Sequence, residues 1–205
     1  MEKIIERCNE ALDDASGKRT IPSFVWKNCK GVAIITVSEM GFVFSISDGD
    51  GVVIKHNDDG TWGPPSAIMF TGAAAGAIFG KATKRIFFFP MTEYALKMLS
   101  GQTTAELGVQ MGLAVGPYGR EAQAGVNVAS SGANITYSYT LEKGALLNIG
   151  YNDYAIDAVD NVNKDFYGVG RKAMDIVMTP GAVNIPEGKG IEEMHEKLAQ
   201  LSESE

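Results

Sequence analysis

Three stretches of the chain carry residue types at spacings that could do chemistry. Ala75-Gly-Ala-Ile-Phe-Gly-Lys-Ala-Thr83 approaches a phosphate-binding loop, in which glycine amides cradle phosphate oxygens, a lysine reaches the terminal phosphates and the next hydroxyl holds magnesium. It fails at both ends, because Ala75 stands at the leading glycine and Ala82 follows Lys81 where the hydroxyl is needed. Gly168-Val-Gly-Arg-Lys-Ala173 imitates a dinucleotide fingerprint with Glu187 downstream, but an Asp-rich helical segment precedes it where a buried strand is required, so it reads as a turn. Carboxylates recur at Asp48/Asp50, Asp58/Asp59 and Asp153/Asp157/Asp160, the oxygen-rich chemistry calcium prefers. None has EF-hand spacing, since Val52 stands where Asp or Asn is expected, and turn-forming and solubilising roles follow.

The remaining reactive side chains do not assemble a catalyst on paper. The only histidines, His56 and His195, fall near a turn and in a C-terminal helix, forming neither a ligand pair nor a base for a Ser or Cys nucleophile, and are expected to face solvent. Cys8 and Cys29 make no CxxC and are too few for a disulfide framework, which suits reduced thiols in a cytoplasmic protein. Ile86-Phe-Phe-Phe89 reads as core. No enzyme activity and no cofactor are expected.

These residues have to be positioned by many short elements. Glu2 to Ala15 sets Ile4, Ile5, Cys8, Ala11, Leu12 and Ala15 on one stripe of an amphipathic helix. Pro22 suits the first turn of a second helix that runs through Phe24, Val25 and Cys29 until Gly31. Val32 to Val37, Phe42 to Ile46 and Val52 to Lys55 then read as consecutive antiparallel strands divided by Met-Gly and Asp-Gly-Asp-Gly turns, with meander connectivity. Asn57-Asp-Asp-Gly60 should reverse the chain before Trp62.

Gly72, Gly76 and Gly80 would share one strand face where another backbone packs closely. Arg85 to Phe89 is a strand, and Thr92 caps a helix that buries Tyr94, Ala95, Leu96, Met98 and Leu99 and stops at Gly101. A second β block follows over Thr104 to Val115, Glu121 to Ala129, Asn134 to Leu141 and Ala145 to Tyr151. Asp157 to Phe166 and Ile191 to Leu201 are helical, with a turn-rich Thr179 to Gly188 between them. The fold class expected is α+β: a curled or barrel-like antiparallel sheet, which would remove strand edges, with N-terminal, central and C-terminal helices packed on it.

Composition bounds the class. With 205 residues, 45% hydrophobic and 21% charged, the chain suits one globular domain, and 24 dispersed glycines suit many turns. A net charge of −7 with no basic tract argues against nucleic acid as a partner. The charged Met-Glu-Lys-Ile-Ile-Glu-Arg start lacks a signal-peptide pattern, and the weakly polar run from Ala67 to Gly80 is shorter than the ~20 residues needed to span hydrocarbon.

Lys30 to Ile68, KGVAIITVSEMGFVFSISDGDGVVIKHNDDGTWGPPSAI, has a less common order: three glycine-punctuated strand runs ending on Trp-Gly-Pro-Pro-Ser-Ala-Ile. It resembles the start of the SYLF domain, and the likeness continues through GPYGREAQAGVNVASSGANITYSYTLEKGALLNIG (Gly116 to Gly150) to Asn163-Lys-Asp-Phe-Tyr-Gly168. The resemblance implies one domain over residues 1–205, with a helical region at 1–30, a β-rich core at 31–168 and a divergent tail at 169–205 that carries a helix. It also implies a cytoplasmic, non-enzymatic lipid-binding module of peripheral membrane association, recognising phosphoinositide surfaces and, in some members, actin filaments.

Lipid attraction requires cations near an amphipathic helix, each contributing about 1 kcal/mol toward anionic headgroups. The candidates are Lys3, Arg7, Lys18, Arg19, Lys27 and Lys30, with Lys81, Lys84 and Arg85 as a second cluster. Glu2, Glu6, Glu10, Asp13 and Asp14 outnumber Lys3 and Arg7 in the first helix and oppose its approach to an anionic surface. The competing expectation is a β-barrel-like carrier or enzyme that encloses a small apolar ligand, or binds calcium through its acidic loops.

Overall fold

β-branched and aromatic residues between Gly31 and Pro90 build the centre of an antiparallel sheet. The computed structural model describes residues 1–18, 21–41, 44–75, 80–101, 112–115, 135–142, 145–147 and 153–203. Helices α1 (Glu2–Lys18) and α2 (Ser23–Asn28) precede strands β1 (Gly31–Gly41), β2 (Phe44–Lys55), β3 (Ser66–Ala75) and β4 (Gly80–Pro90). Helix α3 (Glu93–Leu99) leads to β5 (Gly112–Val115), β6 (Ile135–Glu142), β7 (Ala145–Leu147) and β8 (Asp153–Ala158). Helices α4 (Asp160–Tyr167), α5 (Ala173–Met178) and α6 (Ile191–Glu203) complete the order.

The sheet runs β5-β6-β4-β1-β2-β3-β8, with β7 also paired to β6. Every pairing is antiparallel except β5 with β6, which is parallel and departs from the all-antiparallel expectation. Only β1, β2 and β3 follow a meander, because β4 crosses back to the free side of β1. The path ends on β8 at one side and on β5 and β7 at the other, so among the described residues the sheet is open and is not a barrel.

Closure is unnecessary because helices cover both faces. Successive side chains of a strand alternate between faces. Val32, Ile34, Val52, Ile54, Phe87 and Phe89 join Ile5, Leu12, Trp26, Met194 and Leu198 of α1, α2 and α6 in one core. Their neighbours Ala33, Ile35, Val37, Val53, Ile86 and Phe88 join Leu96 and Leu99 of α3 and Val177 of α5 in a second core. Central strands buried on both faces read as near-continuous apolar runs, which is the pattern seen in Val32 to Ile35 and Ile86 to Phe89.

Several local expectations hold. The stripe of α1 is buried at Ile5, Cys8, Ala11, Leu12 and Ala15. Thr92 accepts a hydrogen bond from the Ala95 amide as the cap of α3, and Gly101 follows that helix at φ +94°. Gly60, at φ +84°, closes the Asn57 turn. Pro22 stands just before α2 as its cap and not inside it.

The Asp48-Gly-Asp-Gly51 run is not a turn: it lies inside β2, paired with Ser38 to Ile35 of β1, so two long strands replace the three expected. Asp157 belongs to β8 and the helix expected there begins at Asp160. Helix α5 occupies the segment after the Gly168 turn, where none was expected. The strand expected over Glu121 to Ala129, and Gly76 of the glycine series, lie outside the described residues.

Candidate functional site

The structure separates the cations that the sequence groups together. Arg7 of α1 grips Asp50 of β2 through both carboxylate oxygens, at 2.6 and 2.5 Å. Lys84 and Arg85 are neighbours in β4 and therefore point to opposite faces. Lys84 is 3% exposed, on the face of Val37 and Ile86, whereas Arg85 turns to α1 and bonds Asp14 and Glu10. Both are committed to the fold's interior layers, so alanine there would report on folding before it reported on a ligand. The side chains of Lys18, Arg19 and Lys81 lie outside the described residues. Lys3 is exposed on the acidic face of α1.

Lys27 and Lys30 do come together. Lys27 is exposed in the last turn of α2, and Lys30 leads into β1. They line one cleft of 320 Å³ with Asn28, His56, Asn57 and Gly60. Lys30 Nζ sits 3.1 Å from Asp58, whose side chain is 89% exposed, so that ion pair is weak and open to exchange with another anion. The two strand ends are tied by backbone, with Lys30 N–H donating to Pro90 O and His56 N–H to Lys30 O. The cleft thus offers two ammonium groups and an imidazole beside the exposed Asp58 carboxylate, and a small anion could take the place of Asp58 on Lys30.

Neither histidine faces solvent freely, contrary to expectation. His56 stacks on Trp62 with ring centroids 4.4 Å apart and places Nδ1 3.2 Å from Cys29 O. His195 of α6 reaches back to Gly63 O at 2.9 Å through Nε2. Burial pushes both below the ordinary 6.5. A base whose folded value is depressed contributes stability that is full above its unfolded value and is lost as pH falls toward the folded one. Melting temperature should therefore drop on acidification from pH 7.5 to 5.5. His195→Gln, which keeps a donor for Gly63 O, should show a shallower drop; an unchanged pH slope in that variant would exclude His195 as a contributor.

The thiols are structural. Cys8 Sγ points at Ile34 O and Cys29 Sγ at Trp26 O, and burial pushes both thiols up to about 12, far from the thiolate a nucleophile needs. Of the candidate carboxylates, Asp50 is held by Arg7, Asp59 by the Thr61 amide and hydroxyl and Asp160 by the Ala173 amide, while Asp58 has only its exchangeable pair with Lys30. Among the described residues, no group of three or more His, Cys, Asp or Glu side chains could hold a metal ion. Among the same residues, no helix is long and apolar enough to cross a membrane.

Sequence reading missed the feature that ties the fold together. Asn163, fully buried in α4, accepts from the Ala67 amide at 2.8 Å and donates to Ser66 Oγ at 2.9 Å. The Tyr167 hydroxyl donates to Pro65 O at 2.5 Å, and His195 bonds Gly63. The Asn163-Lys-Asp-Phe-Tyr-Gly168 motif thus closes directly on Gly63-Pro-Pro-Ser-Ala67, about a hundred residues earlier in the chain. Two segments that carried the resemblance are partners, and their polar residue types were the available signal.

A family profile described as Ysc84, Las17-binding protein actin regulator, matches residues 71–201, through β3, α4 and α6. Protein YSC84 of Saccharomyces cerevisiae is 36% identical over 150 residues, 73% of this chain and 32% of that protein. LAS seventeen-binding protein 3 of the same species is 36% identical over 150 residues, covering 73% of this chain and 33% of its own length. The human SH3 domain-containing YSC84-like protein 1 is 26% identical over 201 residues, 98% of this chain and 57% of its own. The chain therefore spans about a third of the yeast relatives' length. No solved structure matches it. With more than half of its residues inside the profile, the chain belongs to the Ysc84 family of SYLF modules.

Proposed function

We propose that this chain is a non-enzymatic binding module that attaches actin-associated machinery to phosphoinositide-bearing membranes, and that the Lys27–Lys30–His56 cleft receives the headgroup phosphate. The observation that carries this reading is the convergence of Lys27 and Lys30 on one cleft, while Arg7 and Arg85 are committed to carboxylates of the fold. The actin side rests on the family description and on the names of the yeast relatives, and co-sedimentation with actin filaments tests it directly.

Phosphatidylcholine vesicles with and without a phosphoinositide test the membrane side. The wild-type chain should co-sediment only with the phosphoinositide vesicles and should release them as salt rises. At about 1 kcal/mol for each lysine near an anionic surface, Lys27→Ala with Lys30→Ala should weaken binding on the order of 30-fold. Lys164→Ala, an exposed charge on α4, should leave it unchanged. No co-sedimentation at low salt would end the membrane reading, and full binding by the double variant would end the assignment of this cleft.

A further inference from the structure

Asp58 stands in the lysine cleft as an anion that the chain itself supplies. It is the one carboxylate lining that cleft among the described residues, and it meets Lys30 Nζ at 3.1 Å. Lys27, which lines the same cleft, has no carboxylate partner among those residues. In the free protein one of the two ammonium groups is therefore occupied and the other is open.

The turn that presents Asp58 does not need its side chain. Gly60 N–H donates to Asn57 O, and Asn57 N–H donates to Thr61 O. Asn57 Nδ2 donates to Thr61 Oγ1 at 3.0 Å, while Asp59 accepts from the Thr61 amide at 2.9 Å and from its hydroxyl at 2.6 Å. Asn57, Asp59 and Gly60 thus lock the reversal, and the Asp58 carboxylate is left with its contact to Lys30 alone. Asp58 also borders a second concavity of 500 Å³, lined by Trp62, Pro64 and Ile176 and by neither Lys27 nor Lys30. Its side chain has room to swing clear of Lys30 while the backbone of the turn stays in place.

We propose that Asp58 is an autoinhibitory competitor of the cleft: it occupies Lys30 in the free protein, and a phosphate group must displace it to bind. This role rests on the phosphate reading of the same cleft and adds its regulation. Tethering keeps the carboxylate at high effective concentration beside Lys30, so a dilute anion that reaches only that lysine is outcompeted. A phosphate that meets Lys27 and Lys30 together gains a second ammonium and displaces an ion pair that solvent already weakens. Apparent affinity is then lowered by the fraction of molecules in which Lys30 is open. The cleft therefore fills where phosphate is concentrated, as on a phosphoinositide-bearing surface.

Calorimetric titration of the full chain with inositol trisphosphate tests it, at about 150 mM salt so that charges more than about 8 Å apart are largely screened. Asp58→Asn leaves the hydrogen bonds of the turn in place and should tighten binding about two- to sixfold, the range an exposed ion pair sets, with an unchanged melting temperature. Asp58→Glu keeps the charge and should not tighten it. In a Lys30→Ala background Asp58→Asn should have no effect, because the competition acts through Lys30. On phosphatidylcholine vesicles the Asp58→Asn chain should reach half-maximal co-sedimentation at a lower phosphoinositide fraction than wild type. Equal affinity of the wild-type and Asp58→Asn chains, tightening by Asp58→Glu, or a gain that survives Lys30→Ala would each overturn the competitor role and leave the phosphate reading standing. Absence of binding by both the wild-type and Asp58→Asn chains would overturn the phosphate reading itself, and the competitor role with it.

Discussion

Gly51→Val is expected to cost on the order of 3 kcal/mol, the upper end of ordinary overpacking penalties. A Cβ built at Gly51 lies 2.0 Å from Ile34 O and 2.8 Å from Ile35 Cα, both backbone atoms of the neighbouring strand that no rotamer change can move. Relief requires β1 and β2 to part at the middle of the sheet, where Val52 and Ile54 are fully buried. For a domain of this size that corresponds to a melting temperature lower by about 6 to 12 °C. Gly170→Ala is the matched control, because nothing lies within 4 Å of the added carbon, and it should stay within about 0.5 kcal/mol of wild type. Thermal melts of the two variants side by side decide the matter: equal stability would mean that Gly51 does not sit against Ile34 and that the β1–β2 register is different.

The same glycine shows where local reading stops. Asp-Gly-Asp-Gly carries the residue types of a turn, and nothing nearby in sequence says that a partner strand will crowd them. The requirement comes from β1, and a glycine demanded by close backbone approach is indistinguishable in sequence from one demanded by positive φ. The elements that were legible have causes contained within a few residues. The stripe of α1 repeats at helical spacing, Thr92 caps its own helix, and the Asn57 turn closes on itself.

The candidate cations were less legible for the same reason. Whether Arg7 is free depends on Asp50, and whether Arg85 is free depends on Asp14 and Glu10, all brought near only by packing α1 across the sheet. Lys84 and Arg85 form a cluster in sequence, yet strand alternation alone forbids them a common face once that segment is a strand covered on both sides. Lys27 and Lys30 could not be preferred over the rest until the Asn57 turn was seen to bring His56 and Asp58 beside them. Parallel pairing of β5 with β6 and the return of β4 to β1 are long-range choices of the same kind.

Asn163→Leu should be the most damaging polar substitution among the described residues, because one side chain serves two buried groups. Leucine keeps the branched shape of asparagine but strands the Ala67 amide and the Ser66 hydroxyl, each at about 1 to 3 kcal/mol, for a total of about 2 to 6 kcal/mol. Tyr167→Phe removes a single hydrogen bond to Pro65 O and should cost only about 1 kcal/mol. Adding Ser66→Ala to Asn163→Leu should cost less than the sum of the two single changes, since the hydroxyl no longer needs the partner it lost. Strict additivity would mean that the Asn163–Ser66 contact contributes nothing. Amide exchange at Ala67 gives an independent readout, because its protection depends on Asn163 Oδ1 as acceptor. The clasp also bears on the proposed function: Gly63 follows the Asn57–Trp62 turn that sets His56 and Asp58 in the lysine cleft. Asn163→Leu should therefore weaken phosphoinositide binding without removing a charge, and at temperatures where the variant is still folded it should do so with the wild-type salt slope. Loss of lysine contacts flattens that slope, so the two causes of weak binding can be told apart in one titration.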